Sequence, residues 1–382
     1  MKRIHIIPLL LLSALLPASC GKIDGGRADE GSCELRIDVR LPGAERTRAN
    51  YTDLLDGELG VSNGYVFVFD ATSSSASSQT LETKSYLTNM YFSASSLTDN
   101  VTMTVTPGSK RVCVLINTPS DIYNNIETYQ DFLNIRYEMS DESVSGSKKY
   151  FQMTGTSDIT DVTADGTTVA VDCRRVAARV ALRSITNSTG YPVTVNAIWL
   201  SNVAGDYCGT ARTTVNSWYN RQGRKDESSR NTGHVIDGSS YAASLPDFTY
   251  ESLSATISSG SSYRSSSQDP VDLLYCFPNP KTASPDGFTS SYSGEYTVLV
   301  LDVTIRDVRQ YYPVVLSTVR SGCTYPIESN YAYTVDMTLS GYGSPDPNDP
   351  DDRVEIVEPD VNCSIVITIK DWITGASYTE TI

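Results

Sequence analysis

Glu34-Leu-Arg-Ile-Asp-Val-Arg-Leu41 alternates without a break: Leu35, Ile37, Val39 and Leu41 share one face, and Glu34, Arg36, Asp38 and Arg40 the other. Successive side chains of a strand point to opposite sides, so this pattern predicts a strand half buried in a core. Similar runs recur downstream. Tyr65–Phe69, Val101–Thr106, Arg111–Asn117, Thr168–Cys173, Ala178–Ile185 and Val193–Leu200 read as strands, as do Leu273–Phe277, Tyr296–Ile305, Tyr312–Leu316, Tyr331–Leu339 and Cys363–Ile369. Helical periodicity is confined to Ile122–Ile135, while Ser258–Gln268 and Trp218–Arg230 are polar enough to read as exposed loops. Many short strands separated by turn signals predict an all-β protein of packed antiparallel sheets, sandwich-like, with few short helices.

At 382 residues the chain is long enough for two domains, and a boundary near Arg174–Ala178 divides it into β domains of workable size. The expected organisation is residues 1–20 a leader, 21–48 a segment holding the first strand, 49–177 and 178–343 the two β domains, and 344–382 an acidic linker and tail. A net charge of −15 and a pI near 4.6 argue against binding nucleic acid through its phosphates.

The amino terminus has the layout of an export signal: Lys2 and Arg3, the apolar run Ile6 to Leu16, then Ala18-Ser19-Cys20. The run is too short to span a bilayer as a stable helix. A cysteine directly after small residues resembles a bacterial lipobox, which would make Cys20 the acylated first residue of an exported lipoprotein; Pro17 stands where such motifs usually carry an aliphatic residue. A lipid anchor would hold through buried methylenes at about 0.8 kcal/mol each.

Catalytic chemistry is poorly provided for. Of the two histidines, His5 lies in the leader and His234 in a polar stretch, so a hydrolase triad or histidine metal site has one member. No glycine-rich phosphate loop occurs. Beyond Cys20 the cysteines are Cys33, Cys113, Cys173, Cys208, Cys276, Cys323 and Cys363, scattered without a CxxC pair, several at places where a small buried residue fits. Asp346-Pro-Asn-Asp-Pro-Asp-Asp352 lacks the glycine turn and closing glutamate of an EF-hand loop and reads as an extended linker. The expectation is a chain with no enzyme activity, no cofactor and no metal.

In order along the chain, the lipobox, the strand Leu35–Leu41 and Glu45-Arg-Thr-Arg-Ala49 resemble the start of the fimbrillin family, the FimA/Mfa-type subunits of type V pili. The resemblance continues through Pro107-Gly-Ser-Lys-Arg-Val-Cys-Val-Leu-Ile-Asn117, Arg174-Arg-Val-Ala-Ala-Arg-Val-Ala181, Leu274-Tyr-Cys-Phe-Pro-Asn279, Glu328-Ser-Asn-Tyr-Ala-Tyr-Thr334 and Ile365-Val-Ile-Thr-Ile-Lys-Asp-Trp372. It covers nearly the whole chain, departing at Ala178, where the family often has lysine, and at Cys276, where it often has a polar or acidic residue. It implies two tandem transthyretin-like β domains and a structural role in a fimbrium.

What the resemblance further implies is a life history. The precursor reaches the outer membrane as a palmitate-bearing lipoprotein, and an Arg-specific protease cuts after Arg48, or after Arg46. The first strand, with Leu35, Ile37, Val39 and Leu41, leaves as a removable plug. A donor strand from a neighbouring copy, with Cys363, Ile365, Ile367 and Ile369, fills the groove, held clear of its own domain by the prolines and aspartates from Pro345 to Pro359. Partners would be copies of this chain, other pilus subunits and a surface ligand of unknown identity. The competing readings are an anchor subunit that keeps its lipid, a tip subunit without a usable donor tail, and a surface glycan-binding lipoprotein with Trp199, Trp218 or tyrosines as platforms.

Overall fold

The computed structural model describes residues 31–41, 58, 60–87, 98–145, 148–210, 215–219, 248–264, 273–280, 297–316, 318–320, 323–325, 327–343, 363–371 and 377–381. Apart from Ser364, the two tail strands are described through their backbone pairing. Cys20, Arg46, Arg48, His234 and Asp346–Asp352 lie outside the described residues.

Two sheets make the amino-terminal domain. The first has three strands, with β1 (Cys33–Arg40) between β4 (Thr98–Val105) and the strand Thr167–Asp172. The second orders Arg174–Arg175, Met153–Thr156, β5 (Gly108–Ile116), β2 (Gly64–Asp70) and β3 (Leu81–Leu87), with Thr160–Val162 added to β5. Their facing sides interdigitate: Leu35, Ile37, Val39, Met103, Val105, Val169 and Val171 from the first meet Val66, Val68, Val112, Val114, Ile116 and Met153 from the second. The layers approach each other tightly at Gly155, where a Cβ would stand 2.8 Å from the Asp172 carbonyl oxygen, so only glycine fits.

β2 and β5 are buried on both faces. Their other sides present Tyr65, Phe67, Phe69, Cys113 and Leu115 to α1 (Ser120–Asn124) and α2 (Tyr129–Leu133) through Ile122, Tyr123, Tyr129 and Phe132. The single helix expected over Ile122–Ile135 is thus two short ones. Thr128 explains the break: its side chain accepts from the Asp131 N–H while Asp131 accepts from the Thr128 N–H, a capping box that starts a second helix.

The carboxy-terminal domain is a second sandwich. One sheet orders Ser262–Arg264, Ala178–Asn187, Tyr331–Leu339, Cys363–Asp371 and Ser377–Thr381, with Leu273–Cys276 also on Ala178–Asn187; the other orders Tyr250–Ile257, Val193–Ser201, Val298–Ile305 and Val308–Val315. Val180, Leu182, Val335 and Met337 pack against Val195, Leu200, Leu299 and Val303. The core runs on across the domain junction through Phe151, whose ring lies 4.7 Å from Tyr275 and 5.7 Å from Phe248.

The sheets are mostly antiparallel, with one parallel pairing in each domain: β1 beside Thr167–Asp172, and Ala178–Asn187 beside Tyr331–Leu339. Each joins the domain's first strand to a late one, which a long connection permits and a hairpin does not. The tail also departs from expectation. Instead of standing clear of its own domain, Cys363–Asp371 pairs antiparallel with Tyr331–Leu339 along its whole length, Cys363 opposite Leu339 and Asp371 opposite Tyr331. The row of backbone groups on Tyr331–Leu339 is an attractive edge, and an alternating segment of the same chain is well placed to cover it. Trp218–Tyr219, read as part of a loop, forms a short ladder with Val203–Ala204.

Candidate functional site

β1 is unusual among the buried strands because it lies near the start of the described chain yet occupies the middle of a sheet. Leu35 is opposite Met103 and Thr167, Ile37 opposite Val101 and Val169, and Val39 opposite Asp99 and Val171. Leu35, Ile37 and Val39 have no exposed surface, Leu41 has 2% and Cys33 has 7%. The alternation thus does what it predicts: four aliphatic side chains fill sockets floored by β2 and β5. At about 1.5–3 kcal/mol each they supply about 6–12 kcal/mol of burial.

The outward face contributes little. Arg36 pairs with Asp38 at 3.2 Å and Arg40 with Asp172 at 3.8 Å, all substantially in solvent, where such pairs are worth about 0–1 kcal/mol. Hydrogen bonds pin the two ends: the Cys33 thiol donates to the Val105 carbonyl at 3.4 Å, and the Cys173 N–H donates to the Arg40 carbonyl at 2.8 Å. Cys33, Cys113, Cys173, Cys208 and Cys276 are buried free thiols.

Beyond β1 the described chain resumes at a firm anchor. Glu58 is fully buried at the domain junction. Its carboxylate takes Arg179 Nη1 at 3.2 Å and the Tyr275 hydroxyl at 2.7 Å, and its carbonyl accepts from Arg175 Nη2 at 3.3 Å. Burial, partly offset by Glu58, pulls the Arg175 guanidinium down to about 10, so it stays charged at neutral pH; burial and the Glu58 charge push the Tyr275 hydroxyl well above its ordinary value. Two residues on, a Cβ on Gly60 would stand 2.5 Å from the Lys149 carbonyl oxygen. Asn117, with φ of 58°, closes β5 in the left-handed region that asparagine tolerates. Its amide donates to the Gly60 and Phe151 carbonyls at 2.8 Å, and its oxygen accepts from the Ser62 N–H at 2.8 Å. The chain is therefore fixed at Leu41 and again at Glu58, and Arg46 and Arg48 lie in the sequence between these two fixed points.

Sequence patterning missed this anchor, because Glu58, Arg175, Arg179 and Tyr275 come from three distant segments that share no period. Its expected contribution is measurable. Glu58→Ala removes the carboxylate that Arg179 meets inside the protein and is expected to destabilise it by about 3–5 kcal/mol in denaturant melts, with Glu58→Gln less harmful.

Trp199 has no exposed surface and packs edge-on to Tyr311 at 5.9 Å, so it is core and offers no platform for a sugar. Ala178 and Cys276, the two departures from the family resemblance, are opposite each other in one antiparallel pair and both fully buried. Two small apolar residues therefore sit where the resemblance leads one to expect a lysine facing a polar or acidic group. Exchanging a buried ionic pair jointly for apolar residues is often neutral in stability.

The model of the major fimbrial subunit protein (FimA) family matches residues 34–216, from the second residue of β1 through the amino-terminal domain and into the second. Over those residues, just under half of its length, the chain is similar to that fimbrial subunit family. Solved structures share the fold. A fimbrilin from Porphyromonas gingivalis W83 is 12% identical with a TM-score of 0.54, over 90% of this chain and 98% of that one. Candidate cell adhesion proteins from Bacteroides eggerthii (15% identity, TM-score 0.57, 89% and 96% covered) and Parabacteroides distasonis (16%, 0.54, 92% and 98%) are built alike. No curated protein matches the sequence. The match begins inside β1, so the buried first strand lies within the part of the chain that is similar to fimbrial subunits.

Proposed function

We propose that this chain is a fimbrial shaft subunit, exported as a lipoprotein on Cys20, matured by cleavage after Arg48 or Arg46, and polymerised by strand exchange between copies. The observation that carries the reading is the placement of β1. It fills the centre of a sheet, held by a backbone ladder on each edge and by apolar side chains in the interior, while its covalent link to the rest of the subunit runs through the sequence that contains both arginines. Removing it would open a groove with unpaired backbone on β4 and Thr167–Asp172 above a floor of valines. Such a surface does not persist in water, and an extended segment from another copy satisfies backbone and sockets together.

The tail supplies a candidate donor. Cys363, Ile365, Ile367 and Ile369 repeat the alternation of Leu35–Leu41. Its pairing with Tyr331–Leu339 supports a precursor protected at both ends of the future joint: β1 covers the acceptor, and the tail's own domain covers the donor. Exchange then requires both strands to leave their places.

The test is the mass and amino-terminal sequence of the polymerised surface form. A chain beginning at Ala49, from a precursor whose mass includes acyl chains on Cys20, is the expected result. A surface form still beginning at lipidated Cys20 would overturn the shaft reading and favour the anchor.

A further inference from the structure

The acceptor sockets fix not only which segment enters but its register, and the register follows from where one carboxylate must not go. This inference rests on the strand-exchange reading and deepens it. A tail strand that keeps the direction of β1 can align in three ways that place its isoleucines inward. The obvious one puts cysteine on cysteine: Cys363 in the Cys33 socket, then Ile365, Ile367 and Ile369 in those of Leu35, Ile37 and Val39. It also puts Lys370 in the place of Arg40, within reach of Asp172. Its flaw is the next inward position, where Asp371 falls on Leu41, which is 2% exposed.

Shifting by two residues removes the flaw. Cys363, Ile365, Ile367 and Ile369 then take the sockets of Leu35, Ile37, Val39 and Leu41, and by sequence Val361 falls on Cys33. All five inward positions are apolar, and Asp371 lies beyond the groove. The shift forfeits a Lys370–Asp172 pair, but a solvated ion pair returns far less than a carboxylate in an apolar socket costs. Moving two residues further brings Pro359 to Cys33, where it has no N–H to give the ladder. Inserting the strand backwards into the same four sockets returns Asp371 to a buried place, that of Cys33. We infer that the subunit–subunit joint of the fimbria forms in the shifted register, with Ser364 of one copy beside Thr102 of the next.

Cross-linking reads the register directly. Arg36 is opposite Thr102 in the precursor, so whichever tail residue replaces Arg36 becomes the neighbour of Thr102. Residues opposite each other in an antiparallel pair have Cα atoms about 4.5–5.5 Å apart, within the span of a disulfide. Full-length Thr102→Cys is combined in turn with Ser364→Cys, Val366→Cys and Thr368→Cys, treated with an arginine-specific protease, allowed to polymerise and oxidised. Thr102 and Ser364 are exposed in the precursor, so these changes leave the sockets intact. Thr102→Cys alone, which retains Cys363, is the control.

The expected result is a non-reducing ladder of covalent oligomers from the Ser364→Cys pair, with the other two pairs at the level of the control. A ladder from Val366→Cys means the cysteine-on-cysteine register, and one from Thr368→Cys a reversed strand; either overturns the inference while the exchange reading stands. Polymers that form without any cross-link overturn it as well. Polymerisation of chains truncated after Asp360 would remove the exchange reading itself.

Discussion

Replacing both Arg46 and Arg48 with alanine is expected to yield a precursor that folds and melts like the unaltered one yet forms no polymer after exposure to an arginine-specific protease. The reason is a competition for one groove. While β1 remains joined to its own subunit, its return to the sockets is intramolecular, with an effective concentration on the order of millimolar. A donor tail from another copy at micromolar concentration starts about a thousandfold behind. It must also displace about 6–12 kcal/mol of aliphatic burial before recovering its own. Cutting the link changes the contest: a β1 segment that dissociates is diluted, and the donor, joined to a whole subunit, takes its place. The double variant is expected to leave melts unchanged. Sedimentation and electron microscopy of protease-treated samples check the outcome; polymers as abundant as those of the unaltered chain would remove cleavage from the mechanism.

How much of this was legible in the sequence depends on how local the cause is. Leu35, Ile37, Val39 and Leu41 were readable because a half-buried strand writes its burial into every second residue, and each proves to be at most 2% exposed. β3 left no such mark: along Leu81–Leu87 six of seven residues are partly buried and none fully, so neither face stands out. Tyr250–Ile257 was blurred for another reason. Its partner Val193–Ser201 shifts register between Val195 and Ala197, and such an irregularity breaks the period of two. Glu58 was out of reach because its meaning depends on Arg175, Arg179 and Tyr275 arriving from elsewhere.

The tail shows the limit of patterning most clearly. Alternation across Cys363–Ile369 says that one face of a strand seeks cover, not which surface supplies it. The open edge of Tyr331–Leu339 and the groove under β1 are both backbone ladders beside an apolar interior. A segment that suits one suits the other, and this interchangeability is what strand exchange requires of a donor.

Truncation after Asp360 turns that argument into an experiment with a large expected effect. Cleaved subunits lacking the tail are expected to remain monomeric. They are not expected to be unaltered in stability, because Tyr331–Leu339 loses a ladder of nine paired residues. Ala332, Tyr333, Val335, Met337 and Leu339 remain buried in the interior, and the contacts of Val180 and Leu182 with the opposite sheet remain, so the domain is expected to fold with a lowered melting temperature. Ile365→Asp and Ile367→Asp keep the tail in place and change one inward position at a time. In the acceptor sockets of Ile37 and Val39 a carboxylate would lose its hydration without gaining a partner, at several kcal/mol for each substitution. In the monomer the two positions are opposite the buried Met337 and Val335, so each variant is also expected to melt lower, while the backbone ladder with Tyr331–Leu339 is still available to it. Folded, cleavable and assembly-deficient Ile365→Asp and Ile367→Asp variants are therefore the expected outcome, checked by thermal melts beside sedimentation. Normal polymerisation of either variant would place the donor outside Cys363–Ile369. Global unfolding of both would make the tail a core strand of its own domain rather than an exchangeable one.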